Sequence, residues 1–184
     1  MDDMKLAKSS FVISVASVFV AVCALLLSVY QGHLQKINYE TSVQPHITII
    51  PTIDGAKKEY GYYFYNSGVG PGYVDEIQYY INGRRIVADN LSALAQIVRH
   101  FGLNEKCFSY GNPREGDAVS LNEMTTLLTI STSAHIVPEC AKTIQSFQDH
   151  IIKIPSDISF KVRYKSIYNI AFIYNSKDNS QKKL

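Results

Sequence analysis

Phe11 to Tyr30 reads F-V-I-S-V-A-S-V-F-V-A-V-C-A-L-L-L-S-V-Y, without one charged side chain. At 1.5 Å per residue, about 20 apolar residues just cross the ~30 Å hydrocarbon layer of a bilayer. A cleaved signal peptide carries a shorter apolar core of about 7 to 15 residues, closed by an A-x-A-like site. No such site follows Leu27, so the stretch reads as a retained anchor. Cys23 sits in mid-stretch behind Val22, where a lipid-attachment site needs a small residue, and reads as part of an ordinary membrane helix. The expected organisation is a cytoplasmic lead over 1–9, a transmembrane helix with its extension over 10–38, a β domain over 43–175 and a flexible tail over 176–184.

The chain has 184 residues, so about 150 remain outside the anchor, the usual size of one domain with one core. Thirteen Tyr, eight Phe and no Trp, with many Ile, Thr and Val, favour strands, because aromatic and β-branched side chains pack well on a pleated surface. The formal net charge of +2 is too small for the clustered basic footprint of a nucleic-acid binder. Near the C-terminus Lys153, Lys161, Arg163, Lys165, Lys177, Lys182 and Lys183 outnumber Asp157 and Asp178. That excess reads as a solvated strand face, with contact to anionic lipid as the alternative.

Lys5 and Lys8 precede the apolar stretch and only Lys36 follows it closely. By the positive-inside rule the N-terminus lies in the cytoplasm and the domain outside the inner (plasma) membrane. Cys107 and Cys140 form an even pair within the domain. In an oxidising compartment they would form a disulfide closing a loop of about 30 residues; on the cytosolic side they would be two buried thiols.

Within the anchor the small residues Ser10, Ser14, Ser17, Ala21, Ala24 and Ser28 are spaced by four and three in alternation. Ala16 alone falls outside the pattern. Such spacing keeps one helix face small, and helices in lipid associate through close backbone approach and hydroxyl hydrogen bonds. The expected partners are therefore the lipid bilayer and a membrane helix, from a second copy or from another protein.

Beyond Pro45, which ends any helix, the pattern becomes extended. Ser42 to Ile53 carries two prolines in a β-branched run and reads as an edge strand. Asp54-Gly55 turns it into Glu59 to Asn66. In Asn66-Ser67-Gly68-Val69-Gly70-Pro71-Gly72 the glycines suit a turn that needs positive φ or close backbone approach, and Pro71 fixes a further dihedral. A strand follows, not the helix that a phosphate loop requires. Asn82-Gly83 reads as a tight hairpin turn between Val74–Ile81 and Arg84–Val87.

The aromatic strand, the N-S-G-V-G-P-G turn and the strand ending in Ile81-Asn82-Gly83 resemble the N-x-G-x-G-P-A pattern of uncharacterised single-pass bacterial membrane proteins. More loosely they are similar to the N-x-G turn of adhesion-related bacterial Ig-like domains. Tyr164-Lys165-Ser166-Ile167-Tyr168 is similar to a Y-x-S-x-Y segment of the same group. Gly72 stands where that pattern often has Ala. The resemblance implies an Ig-like sandwich beside a membrane and assigns no activity or binding residue.

Asp89 is placed to cap a helix with apolar Leu91, Leu94, Ala95, Val98 and Phe101, ending at Gly102. Glu105 to Tyr110 reads as a short strand containing Cys107, with further strands at Val119–Leu121 and Met124–Ser131. Pro138 opens a second helix through His150. Ile158 to Lys165 alternates cleanly, with Ile158, Phe160, Val162 and Tyr164 on one face and Ser159, Lys161, Arg163 and Lys165 on the other. Asp75-Glu76 is an adjacent acid pair whose members point to opposite faces on a regular strand, so it does not read as an acid/base dyad. Asn169 to Tyr174 reads as the last strand. Histidines 33, 46, 100, 135 and 150 lack metal-ligand spacing, although His135, Glu139, Cys140 and His150 could converge around one helix.

The expected fold is mostly β (α+β): one transmembrane helix, then an Ig-like antiparallel β-sandwich with two added helices. The expected function is non-enzymatic, through protein–protein contacts of an envelope domain, with no cofactor and no nucleic acid. The alternative is a membrane-acting effector of a bacterial toxin or phage-defence system.

Overall fold

The computed structural model describes the backbone of residues 2–57, 59–152 and 158–184, and the side chains of these except 2–10, 12, 150 and 152. Lys153 and Asp157 lie outside the described residues. The chain divides into two compact units, Met1–Ser42 and Val43–Leu184.

The first unit is a single helix, α1 (Asp2–Ser42). Its Ile13–Ser42 portion is long and apolar enough to cross a membrane, and its apolar window is covered by nothing in the chain. The helix begins at Asp2, within the expected lead of 1–9 and before the expected start at residue 10, and ends at Ser42, later than residue 38. Residues 31–42 lack proline, and Lys36 pairs with Glu40 at 3.9 Å, so nothing stops the helix until Pro45.

The second unit consists of antiparallel sheets and two helices. Its strands are β1 (Ile47–Asp54), β2 (Glu59–Asn66), β3 (Gly72–Ile81), β4 (Arg84–Arg85), β5 (Phe108–Tyr110), β6 (Ala118–Val119), β7 (Met124–Ile130), β8 (Ile158–Lys165), β9 (Ala171–Asn175) and β10 (Ser180–Lys183). One sheet has the order β1-β2-β7-β5; the other runs β10-β9-β8-β3-β4, with β6 also paired to β3. β1, with Pro51, is an edge as its composition demands. The hairpin at Asn82-Gly83 has φ of 51° and 74°, the double left-handed turn that matches strand twist.

Alternation builds the core. Ile158, Phe160, Val162 and Tyr164 point inward from β8, and Tyr62 and Phe64 from β2. Tyr62 of the first sheet meets Phe160 of the second with ring centroids 5.6 Å apart. Helix α2 (Asn90–His100) is capped by Asp89, whose carboxylate accepts from the Ser92 N–H at 3.0 Å. At its other end Gly102, at φ 67°, lets Leu103 N–H reach the Val98 carbonyl. The helix buries Ala93, Leu94, Ile97 and Val98, while Leu91 is 44% exposed. Helix α3 (Ala141–Ile152) inserts Phe147 between Phe108, at 4.8 Å, and Tyr62, at 6.3 Å.

Two expectations are corrected. Ser180–Lys183 is strand β10, paired residue for residue with β9, where a flexible tail over 176–184 was expected. Asn179 at φ 47° makes the turn, and backbone hydrogen bonds need no apolar pattern to form. Cys107 lies on a 3-10 turn, Glu105–Cys107, that precedes β5.

Tyr79 is 1% exposed, and its hydroxyl is the buried side-chain atom without a hydrogen-bond partner among the described residues. Burial pushes its ionisation far up. A buried unpaired hydroxyl costs about 1–3 kcal/mol, so Tyr79→Phe leaves stability unchanged or raises it by about 1 kcal/mol in urea unfolding. A loss above about 1 kcal/mol would mean that the hydroxyl has a partner.

Candidate functional site

The Asn66–Gly72 turn is built around one fully buried amide. Asn66 Nδ2 donates to the carbonyls of Gly70 and Val119, both at 2.9 Å. Its Oδ1 accepts from the N–H groups of His46 and Gly68, both at 3.0 Å. All the hydrogen-bonding capacity of the side chain is used. The turn packs against the segment that precedes β1: Ser67 N–H reaches His46 O and Val69 N–H reaches Gln44 O.

The glycines serve this close approach and none of the three has positive φ. A methyl on Gly70 would stand 2.0 Å from the Val43 carbonyl oxygen, and one on Gly68 would stand 2.3 Å from the His46 nitrogen. At Gly72 a methyl would stand 2.6 Å from the end of the buried Ile47 side chain and 3.1 Å from Pro45 Cβ. Pro71 lies between the clamp and β3.

The Tyr164–Tyr168 segment reaches the same place. Ile47 N–H donates to the Tyr164 hydroxyl at 3.2 Å, and that hydroxyl donates to Gln181 Oε1 on β10. Gln181 Nε2 in turn donates to Pro45 O at 3.4 Å. Ser166 accepts from the N–H groups of Tyr168 and Ile170 and closes the β8–β9 turn. The Asn66–Gly72 turn and the Tyr164–Tyr168 segment therefore both contact residues 43–47, which follow α1 directly in sequence.

Cys107 and Cys140 are joined, with an S–S distance of 2.06 Å, and lie 33 positions apart in sequence. Both are buried. The bond ties the turn before β5 to the turn before α3 and brackets the exposed tip at Ile136, which is 84% exposed. The histidine–cysteine convergence does not form: Cys140 is spent in the disulfide, and the His135 ring lies 6.0 Å from that of Tyr60. The His150 side chain lies outside the described residues. A groove of about 770 Å³ crosses the outer face of the first sheet, over Tyr63, Thr126 and Thr129 and beside His135 and Ile136.

The outer face of the second sheet carries a connected array of charges. The register of β3 shifts between Val74 and Glu76, so the alternation breaks at Asp75. Both carboxylates then reach Arg163, contrary to the opposite-face expectation. Asp75 pairs with Arg163 and, at 3.0 Å, with Lys165; Glu76 pairs with Arg85 at 2.7 Å and lies 4.0 Å from Arg163. The hydrogen bond from Lys165, with help from Arg163, holds the Asp75 carboxyl below the usual carboxylate range. Gln78 bridges Glu76 to Tyr80, and Lys161 sits over the Tyr80 ring at 5.2 Å. Asp75 and Glu76 thus face Lys161, Arg163, Lys165 and Arg85, which leaves the face net positive. Of the tyrosines between Tyr60 and Tyr80, Tyr60, Tyr62, Tyr63 and Tyr79 are buried packing residues, and Tyr73 and Tyr80 sit on this face.

On α1, Ser17 Oγ donates to Ile13 O and Ser28 Oγ to Ala24 O, each at 2.9 Å. Those two hydroxyl protons are spent within the helix and leave acceptor lone pairs for a neighbour. Ser14 and Ala21 lie on the same exposed helix, and Ser10 lies on its backbone with its side chain outside the described residues. Ile13, Ala16, Ser17, Val20, Ala21 and Ala24 line a shallow groove along one side of the helix.

No family model, no curated protein and no solved structure matches this chain.

Proposed function

We propose that this chain is a membrane-anchored, non-enzymatic bacterial envelope protein whose Ig-like domain stands outside the inner membrane and works through protein–protein contacts. The observation that carries the reading is strand order. The orders β1-β2-β7-β5 and β9-β8-β3 follow the A-B-E-D and G-F-C orders of a constant-type immunoglobulin sandwich, which supports the Ig-like reading. The Tyr62–Phe160 ring contact joins β2 to β8, the strands that would be B and F on this reading, and so supports two sheets packed face to face. The Cys107–Cys140 bond supports an oxidising compartment, and with it a cytoplasmic N-terminus. The uncovered apolar part of α1 supports retention in the bilayer, where its Ser/Ala face offers close approach to a second helix.

The positive face around Lys161, Arg163 and Lys165 suits a protein partner with an acidic surface. Crosslinking and pull-down from native membranes tests this. A partner recovered with the wild-type chain should be lost with the Lys161→Glu, Lys165→Glu variant and weakened by salt. Equal recovery with both chains would sink this contact face. A reporter fused after Leu184 that is active only in the cytoplasm would sink the topology.

A further inference from the structure

We propose that the groove over the outer face of the first sheet binds a neutral saccharide, through hydroxyls that the fold places there without partners of their own. The site stands independently of the membrane anchor and of the positive face on the second sheet. It follows from the strand pattern. Glu59, Gly61 and Tyr63 share the outward face of β2, with Gly61 opposite Thr129 of β7 and Tyr63 opposite Thr126. Gly61 has no room for a side chain, since a methyl there would stand 2.5 Å from the Thr129 methyl. β2 therefore offers nothing between Glu59 and Tyr63 to roof that stretch. The 3-10 turn Thr132–Ile136 walls one side, and the volume of about 770 Å³ falls in the range of small-ligand sites.

Two side chains in the groove are buried and unpaired. Tyr63 and Thr129 are each 8% exposed, and neither hydroxyl has a hydrogen-bond partner among the described residues. A buried hydroxyl left unpaired weakens the free protein, and a ligand that pairs it recovers the loss. Tyr79 is sealed in the core, whereas these two line an open cavity. Burial, with Glu59 nearby, raises the ionisation of Tyr63, so its hydroxyl stays a donor.

The lining selects the ligand. Lys57 is held by Asp54 at 3.9 Å and Glu59 has no ion-pair partner among the described residues, so no free cation awaits an anion. Thr126 and Thr132 add further hydroxyls, while Met124, Ile130 and Ile136 supply apolar surface. A saccharide has both matching surfaces: edge hydroxyls for Tyr63, Thr129 and the Glu59 carboxylate, and C–H ring faces for the apolar wall.

Isothermal titration of the full chain, in a phosphocholine detergent so that no sugar headgroup competes, tests this with chitotriose and cellotriose. Saturable binding of at least one is expected; the first alone would mark an N-acetylated chain, the second alone an unsubstituted one. Tyr63→Phe with Thr129→Val should weaken binding at least about tenfold, while Thr129→Ser, which keeps the hydroxyl, should stay within about twofold of wild type. Thr126→Phe, which fills the groove, should abolish binding, and Lys161→Glu on the other sheet should leave it unchanged. Urea midpoints near that of wild type keep a folding failure from passing as lost binding. No binding of either probe by the wild-type chain, or equal binding by the Tyr63→Phe, Thr129→Val chain, would overturn the site, and neither result touches the contact proposed for the positive face.

Discussion

Asn66→Ala lowers the stability of the domain by about 3–5 kcal/mol, read as a fall in the urea midpoint by tyrosine fluorescence at unchanged slope. The substitution removes little apolar area. Its cost comes from the groups left behind: the Gly70 and Val119 carbonyls lose their donor, and the His46 and Gly68 N–H groups lose their acceptor. Each buried orphan costs about 1–3 kcal/mol, and the groups nearest solvent recover part of that from water. Against a total stability of about 5–15 kcal/mol, this loss is severe. Ser67→Ala next door, an exposed hydroxyl 3.4 Å from His46 O, costs under about 0.5 kcal/mol. An Asn66→Ala loss below about 1 kcal/mol would refute the central role of the amide.

Removing the disulfide is the second large effect. Cys107→Ala with Cys140→Ala is expected to cost about 3–4 kcal/mol, the loop-closure entropy returned to the unfolded chain by a loop of this size. The separation of 33 residues sets that figure. A local effect should accompany it. Between β7 and α3 the chain passes through two 3-10 turns, Thr132–Ile136 and Pro138–Cys140, and Ala134 and Cys140 are their buried residues. Without the bond, limited proteolysis should cut within 132–140 well before the domain unfolds. Non-reducing gels that show no mobility change between wild type and variant would argue against the bond itself.

The strongest periodicities were legible in the sequence. Ile158–Lys165 forms a strand over the range its alternation specifies, because one buried face forces a period of two. Glu59–Asn66 forms a strand over the range expected from its aromatic run after the Asp54-Gly55 turn, with nearly all of it buried. Features set by distant partners were not. The face of α2 is rotated toward Ala93 and Ile97, since Leu91, equally apolar, lies on a turn that nothing covers. The irregularity at Asp75 has no glycine to announce it and is held by Arg163, 88 positions away. Strand β10 is held by backbone pairing with β9 and by Gln181, which bonds Tyr164 and Pro45, partners that S-Q-K-K does not reveal. The Asn66 turn could be read as a turn, but its function as a clamp depends on His46 and Val119, which sequence spacing does not connect to it.

The helix that ends at Ser42 passes without a spacer into a chain already fixed at Gln44 by the Val69 N–H. On the proposed anchoring of Phe11–Tyr30 in a bilayer, the chain contour from Tyr30 to Gln44 would be about 20 Å. That contour would act as a tether length, an upper bound on how far from the lipid Gln44 could be carried, and inserting residues between Tyr30 and Ser42 would raise the bound.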